Sequence, residues 1–199
     1  MFVYIPLPKE ILSYITSFQT MDDGAFCIYY PETYIREYYA KKEDTDEYMY
    51  IFKNLKKLFL TNNKYITNDG LKHMYHLEEL TCGVNNNLTD IILIHLKNTL
   101  KILRVANNTS FTDNGIRDSS LIELHCGINM HFSDNGIKNL KLKRLSCGFN
   151  SSFTNDGIRY SNLEYLSCGF NENFTNDVIH LLPLKKLKCG WNFNIWIKK

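Results

Sequence analysis

Residues 142–158 read LKRLSCGFNSSFTNDGI, and this pattern begins seven times in a chain of 199 residues. Each copy has apolar residues at positions 1, 4 and 6 and Asn at position 9. The copies start 21 to 23 residues apart, at Leu55, Leu77, Leu100, Leu121, Leu142, Leu163 and Leu184. A fixed period of this length indicates a repeat protein, in which each unit buries its apolar side against its neighbours.

Positions 4 and 6 predict a short strand in every unit, because residues two apart in a strand face the same way. We assign that face to the core. An apolar residue at position 12 and a Thr or Ser at position 13 follow in six units, and the hydroxyl suits the N-cap of a short helix. Each unit is therefore predicted to contain one strand and one short helix or turn.

The Asn at position 9 is predicted to hold the turn that follows each strand. Its amide offers two donor hydrogens and an acceptor, and the backbone groups of a buried turn must find partners. A stacked row of amides would supply them, so we interpret the row as structural rather than as a ligand site. Its members are Asn63, Asn85, Asn108, Asn129, Asn150, Asn171 and Asn192.

Five of the six cysteines occupy position 6: Cys82, Cys126, Cys147, Cys168 and Cys189. A free cysteine packs like a small apolar residue. One thiol per unit spreads along a line, whereas a metal site needs ligands that converge on one point. Neighbouring thiols would also point in parallel, which is poor geometry for a disulfide. We predict buried, unpaired thiols that hold no metal.

The strand pattern resembles the leucine-rich repeat, and Cys at position 6 with the later Thr-Asn-Asp-Gly-Ile resembles its cysteine-containing subfamily. The units here are shorter than is usual there. The resemblance implies an α/β solenoid with a parallel sheet on the concave face and short helices or turns on the convex face. Members of that subfamily often follow an F-box and commonly act as substrate receptors of cullin–RING ubiquitin ligases. The Asn-rich composition also resembles leucine-rich-repeat proteins of giant DNA viruses of amoebae.

Residues 1–54 do not share the repeat and are assigned to a helical segment, while residues 55–199 form the repeat domain. Pro8 suits the first position of a helix, and apolar residues recur after it at helical spacing. A second helix is predicted near Pro31, with Tyr38 and Tyr39 facing inward. A third helical piece is predicted from Tyr48 to Leu55.

The stretch Leu7-Pro8-Lys9-Glu10-Ile11-Leu12 resembles the opening of an F-box. That resemblance implies that Leu7, Pro8, Ile11, Leu12 and Ile15 contact a cullin–RING ligase adaptor. The third helix of an F-box usually contains a Cys-x-x-Trp type motif, whereas the stretch Tyr34-Ile35-Arg36-Glu37-Tyr38-Tyr39 has no Trp. The alternative is that this helix only caps the open N-terminal end of the repeat array, since terminal repeats would otherwise expose core. The two roles are compatible.

Positions 3 and 5 of each unit are predicted to face outward on the concave side, where solenoids commonly bind partners. Their charges are mixed, which favours a protein partner over nucleic acid. Arg and Tyr are frequent hot-spot residues, so Arg104, Arg144 and Tyr165 are the first candidates. The full candidate surface is Arg104, Glu123, His125, Arg144, Tyr165, Lys186 and Lys188.

Position 8 follows a glycine and is apolar in five units, with Phe149, Phe170 and Trp191 the largest side chains. Stacked units would place them in one row along an edge of the sheet. They either pack on each other and shield the turn, or present an exposed patch to a partner or a second copy. The sequence leaves both alternatives open.

Composition argues against several classes of function. The 23 basic and 21 acidic residues nearly balance, so no strong attraction to nucleic acid or an anionic membrane is expected. No run has the 18 or more apolar residues of a membrane span, and a cytoplasmic protein is expected, in the host cytoplasm if viral. No phosphate loop or nucleophile motif occurs. We therefore expect no enzyme activity and no cofactor.

Two patterns could suggest metal binding. His73 and His76 are three residues apart on a predicted short helix, but no Cys or carboxylate partner stands out nearby. Asp residues recur just after the position-13 hydroxyl, as in a calcium-binding repeat. Acidic residues favour helix N-termini for their own reasons. We interpret the two histidines as an exposed pair on the convex face and the recurring Asp as a preference of helix starts, with a calcium- or metal-binding repeat as the alternative.

Overall fold

The computed structural model describes residues 35–83, 85, 87–105, 108–127, 131–148, 152–190 and 192–195. Within them, eight three-residue strands form one parallel sheet whose spatial order follows the chain. The strands are β1 (Glu37–Tyr39), β2 (Lys57–Phe59), β3 (Glu79–Thr81), β4 (Ile102–Arg104), β5 (Glu123–His125), β6 (Arg144–Ser146), β7 (Tyr165–Ser167) and β8 (Lys186–Lys188).

A short helix follows each of the first seven strands. The helices are α1 (Asp46–Met49), α2 (Asn68–Leu71), α3 (Asp90–His95), α4 (Asp113–Ile116), α5 (Asp134–Ile137), α6 (Asn155–Ile158) and α7 (Asn176–Ile179). The predicted alternation of strand and short helix is confirmed. The sheet forms one layer and the helices form the second.

Every strand pairs with the next in the same register, so that equal positions of successive units lie side by side. Lys57 is opposite Glu79, and Leu58 is opposite Leu80. The same alignment holds from β1 to β8. Each position of the repeat therefore forms a row of its own across the sheet.

The core lies between the sheet and the helices, as the apolar pattern predicts. Position 4 residues such as Leu145 and position 6 residues such as Cys147 are fully buried from β2 to β7. Position 12 fills the space behind them with the fully buried Ile66, Leu88, Phe111, Phe132, Phe153 and Phe174. A buried aromatic ring of this kind is among the largest single contributions to a core.

The row of asparagines joins neighbouring units, as predicted. In Asn63, Nδ2 donates to the carbonyl oxygens of Lys41 at 2.8 Å and Asp44 at 2.7 Å. Its Oδ1 accepts from the backbone N–H groups of Tyr65 and Ile66 at 2.9 and 2.8 Å. One amide thus closes its own turn and ties that turn to the preceding unit. Asn85, Asn108, Asn171 and Asn192 are buried in the same arrangement.

A second row, which the sequence analysis does not predict, links the helix starts. Both carboxylate oxygens of Asp113 are used by Ser133 in the next unit, one by its N–H at 2.8 Å and one by its hydroxyl at 2.5 Å. Asp46, Asp90 and Asp134 bind the next unit's Thr in the same way. At these four positions the Asp is thus a structural group.

The predicted helix that carries Tyr38 and Tyr39 is wrong for residues 37–39, which form strand β1. Tyr38 occupies position 4 of an additional unit and pairs with Leu58 of β2. Its ring lies 4.3 Å from that of Phe52, and its hydroxyl donates to Asp44 at 2.7 Å. Pairing to the open edge of β2 outweighs the local helical spacing. Within the described residues, the sheet therefore includes Glu37–Tyr39, which lie before the boundary predicted between residues 54 and 55.

Helix α1 also differs from the third helical piece predicted from Tyr48 to Leu55, because it begins at Asp46 and ends at Met49. The F-box-like residues Leu7, Pro8, Ile11, Leu12 and Ile15 lie outside the described residues.

Candidate functional site

The outer face of the sheet, defined here as the side chains at positions 3 and 5, carries the seven residues predicted to bind a partner. All seven lie in the described part of the chain. Backbone pairing places Arg104 opposite His125, and Glu123 opposite Arg144. Tyr165 is opposite Lys186 at the C-terminal end of the face.

Glu123 is the centre of a charged network on this face. Its Oε1 accepts from Nη2 of Arg104 at 2.8 Å and from Nε2 of His125 at 2.6 Å. Its Oε2 lies 3.2 Å from Nε of Arg144. The other terminal nitrogen of Arg104 pairs with the carboxylate of Glu79. The network therefore spans four strands, β3 to β6.

The two carboxylates of the network are largely covered by their partners, since the side chain of Glu79 is 12% exposed and that of Glu123 is 15% exposed. Burial pushes the pKa of Glu123 upward. The hydrogen bond from His125 and the charges of His125, Arg104 and Arg144 outweigh burial, and the pKa is lowered. Glu123 is consequently ionised at neutral pH and holds both arginines in place.

Arg144 links the network to the C-terminal end of the outer face. Its guanidinium carbon lies 4.8 Å from the centre of the Tyr165 ring, which is a cation–π contact. Beyond it, Lys186 and Lys188 are exposed, and no ion pair involves them among the described residues. The outer face thus has a charge-paired centre and a basic C-terminal end.

The N-terminal end of the outer face is aromatic, which the sequence analysis missed. The rings of Tyr39 and Phe59 stack 4.4 Å apart at an angle of 7°. Both residues occupy position 5, and Tyr39 is 64% exposed. Alignment of residues 35–54 as an eighth unit would have found this pair.

The predicted edge row is described only at Phe170, because Phe149 and Trp191 lie outside the described residues. Phe170 is 51% exposed. Its ring approaches Gly148 of the preceding unit, where an added Cβ would lie 3.9 Å from Cδ2 of the ring. Phe170 therefore packs partly across the units and remains partly accessible.

The five cysteines at position 6 are unpaired thiols, and four of them are buried, as predicted. Burial raises the pKa of Cys82 and of Cys126 well above the usual value, and that of Cys168 to about 12. A thiol must lose its proton to act as a nucleophile or metal ligand. These side chains are consequently inert core residues.

His73 is half-buried rather than exposed. Its Nε2 lies 2.9 Å from the carbonyl oxygen of Met49, and its ring stacks on Tyr50. Burial lowers the pKa of His73. In the part of the chain that the structure covers, no group of three His, Cys, Asp or Glu residues is placed to hold a metal ion.

Fold and site together define a parallel α/β repeat protein with a charge-paired outer sheet face. No protein-family model and no curated protein matches the chain. Among the described helices, none combines the length and apolar character needed to cross a membrane.

Proposed function

We propose that the chain is a non-enzymatic protein-recognition module, a leucine-rich-repeat solenoid whose outer sheet face is concave and binds a protein partner. The observation that carries this proposal is the Glu123 network. It holds Arg104 and Arg144 in fixed positions, with Arg144 over the ring of Tyr165, so little side-chain entropy remains to be lost when a partner binds.

The chemistry of the outer face favours a protein over a nucleic acid. Glu79 and Glu123 lie among its cations and would repel phosphates. Protein interfaces instead commonly combine aromatic and Arg anchors with a polar surround. Arg144, Tyr165 and the Tyr39–Phe59 stack supply such anchors.

Affinity capture with paired variants tests the outer face. The full chain, Arg144→Glu/Tyr165→Ala and Arg159→Glu/Tyr160→Ala would each be used to capture proteins from a eukaryotic lysate, with quantification by mass spectrometry. The control removes the same two residue types, and Arg159 and Tyr160 directly follow helix α6 on the helical side. We expect one set of proteins to be lost with the first variant and kept with the second. Equal loss with both variants, or no specific capture, would contradict the proposal.

We further propose that residues 7–15 dock a cullin–RING ligase adaptor, which would make the chain a substrate receptor that acts in the cytoplasm. This rests on the F-box-like stretch Leu7-Pro8-Lys9-Glu10-Ile11-Leu12. The competing proposal is a scaffold without a ligase role, in which the N-terminal helix only caps the repeats.

Binding to a purified ligase adaptor separates the two roles. Leu12 lies on the apolar side of the predicted helix, and Ser13 is its neighbour on the polar side. Each is replaced by Asp in a separate variant, Leu12→Asp and Ser13→Asp. We expect Leu12→Asp to abolish adaptor binding and Ser13→Asp to preserve it, with unchanged melting temperatures. If the unaltered chain does not bind and Leu12→Asp lowers the melting temperature, the segment is a cap.

A further inference from the structure

The residue before each strand, position 2 of the unit, forms a charged row along one flank of the sheet. This flank row is Arg36, Lys56, Glu78, Lys101, Ile122, Lys143, Glu164 and Lys185. Each backbone N–H from Lys56 onward donates to the carbonyl of the preceding member, as in Glu78 to Lys56 at 2.8 Å and Lys143 to Ile122 at 2.8 Å. The row is therefore regular, with neighbours separated by the strand spacing of about 4.8 Å.

The flank row contains two Lys–Glu–Lys triads on either side of Ile122, which is 39% exposed. In the C-terminal triad, Glu164 pairs with Lys185 at 2.7 Å and with Lys143 at 3.4 Å.

In the N-terminal triad, Glu78 pairs with Lys56. The hydrogen bond from Lys56 is the main cause of the lowered pKa of Glu78, and the charge of Lys101 adds to it. Each triad thus has one cation more than it has carboxylates, and Arg36 adds another.

The N-terminal triad borders a cleft of about 370 Å³. Arg36, Lys56, His76, Asn98 and Lys101 line it with donor groups, against the single carboxylate of Glu78. The Nη1 atom of Arg36 donates to the carbonyl oxygen of Asn54 at 3.1 Å, which holds the guanidinium at the cleft wall. The cleft is consequently suited to an anionic group.

We infer that the flank row binds an acidic segment of a protein partner, with a carboxylate in the cleft beside Lys56 and Lys101 and an apolar side chain on Ile122. The inference rests on the proposed protein-binding function, but it concerns a surface separate from the outer face. Cross-strand ion pairs alone account for the carboxylates of the row. They do not account for the excess of cations around the cleft.

The flank row is basic except at Glu78, Ile122 and Glu164, and these three residues favour a peptide over a nucleic acid as the ligand. A nucleic acid carries a negative charge at every nucleotide, and some phosphates would face Glu78 and Glu164. A peptide can place its carboxylates opposite the lysines and an apolar residue opposite Ile122. Charge complementarity of this kind determines specificity and association rate more than affinity.

Fluorescence anisotropy on the full chain tests this inference, with a labelled oligoglutamate peptide as the probe. We expect Lys56→Glu/Lys101→Glu to weaken binding by about tenfold or more. The control, Lys42→Glu/Lys64→Glu, makes the same change in net charge at exposed lysines in the turns after β1 and β2. It should change the dissociation constant by less than about twofold.

Four outcomes would overturn the inference: no binding of oligoglutamate by the unaltered chain, equal loss in both variants, tighter binding of labelled oligodeoxythymidine, or loss only with Arg144→Glu/Tyr165→Ala. The fourth outcome would assign acidic-peptide binding to the outer face, and it would not contradict the proposed function. If Lys56→Glu/Lys101→Glu fails to fold, Lys56→Gln/Lys101→Gln decides by the same criterion.

Discussion

At the scale of single residues, the glycine at position 16 and the acidic residue at position 14 of the preceding unit determine each other. A Cβ on Gly157 would overlap Oδ1 of Asp134 and would lie 3.1 Å from its Cα. Gly70, Gly115 and Gly136 face Asp46, Asp90 and Asp113 with the same closeness. Even the methyl group of alanine is therefore excluded at position 16 where the preceding unit has this Asp.

Where Asn replaces that Asp, the next unit has a side chain instead of the glycine. Asn68 precedes the unit with Ile92, and Asn155 precedes the unit with Val178. The amides of Asn68 and Asn155 donate to the hydroxyls of Thr89 and Thr175, which then make no side-chain cap hydrogen bond. Where an Asp precedes, the hydroxyl donates to the carboxylate and still caps its helix, as Thr154 does.

This pairing predicts a non-additive double-mutant cycle. Gly157→Ala should cost about 1–3 kcal/mol by overpacking, and Asp134→Ala about 1–3 kcal/mol because Thr154 loses its acceptor. Asp134→Ala also removes the clash, so the double variant should cost less than the sum. Urea unfolding measures all three. Gly127→Ala, with no atom within 4 Å of the added Cβ, is the control; strict additivity would refute the pairing.

The asparagine row makes a second prediction at this scale. Asn63→Ala removes the side-chain partner of five backbone groups and should lower the free energy of unfolding by about 3 kcal/mol. The adjacent Asn62 is exposed, and Asn62→Ala should change it by less than about 0.5 kcal/mol. Similar losses at both positions would show that the amide row does not hold the turns.

At the scale of elements, strands β3 to β6 are connected by side chains as well as by backbone. Glu123 on β5 contacts Arg104 on β4 and Arg144 on β6, and Arg104 also reaches Glu79 on β3. Breaking one member of such a covered network leaves the other charges without their partners.

Glu123→Gln is predicted to lower the free energy of unfolding at pH 7 by about 1–3 kcal/mol. Because the pKa of Glu123 is lowered in the folded state, its contribution is complete above the unfolded pKa of about 4.3 and is lost as pH falls through the folded pKa. Arg104, His125 and Arg144 are the charged or titratable groups that contact it, and Glu79 shares Arg104 with it. Urea unfolding from pH 7 to pH 3 should therefore show the gap between variant and unaltered chain closing.

The exposed Glu172 provides a control for that experiment, since Glu172→Gln should leave the free energy of unfolding nearly unchanged at every pH. A gap for Glu123→Gln that stays constant down to pH 3 would show that the carboxylate charge contributes nothing.

At the scale of the whole molecule, each described strand pairs only with its neighbours in sequence. Stability in such an array is a sum of unit and interface contributions, and the end units have one interface fewer. Position 4 shows the difference, because Leu145 in β6 is fully buried whereas Leu187 in β8 is only partly buried.

The same substitution should therefore have different effects along the array. Leu145→Ala should cost about 2–5 kcal/mol through the cavity that it leaves. Leu187→Ala at the same position of the unit should cost clearly less. Thermal and urea unfolding of both variants provide the measurement. Equal losses would indicate that the C-terminal end is as well packed as the middle.

The repeat, the core positions and the role of Asn63 and its equivalents could be predicted from the sequence alone. In a stack of similar units, each residue packs beside the equivalent residue of the next unit. A pattern within one unit therefore also specifies the contact between units. That reasoning also identified Cys147 and its equivalents as core residues, and it placed the candidate residues Arg104, Arg144 and Tyr165 on one face.

Only the tertiary structure revealed the contacts that join different repeat positions of neighbouring units. Tyr38 and Tyr39 have helical spacing, but the open edge of β2 makes them a strand. The contact of Asp134 with Gly157 joins positions 14 and 16 of different units, and the link from Arg104 to Glu123 joins positions 5 and 3. Such contacts depend on the lateral shift and rotamers of stacked units, which no pattern within a single unit contains.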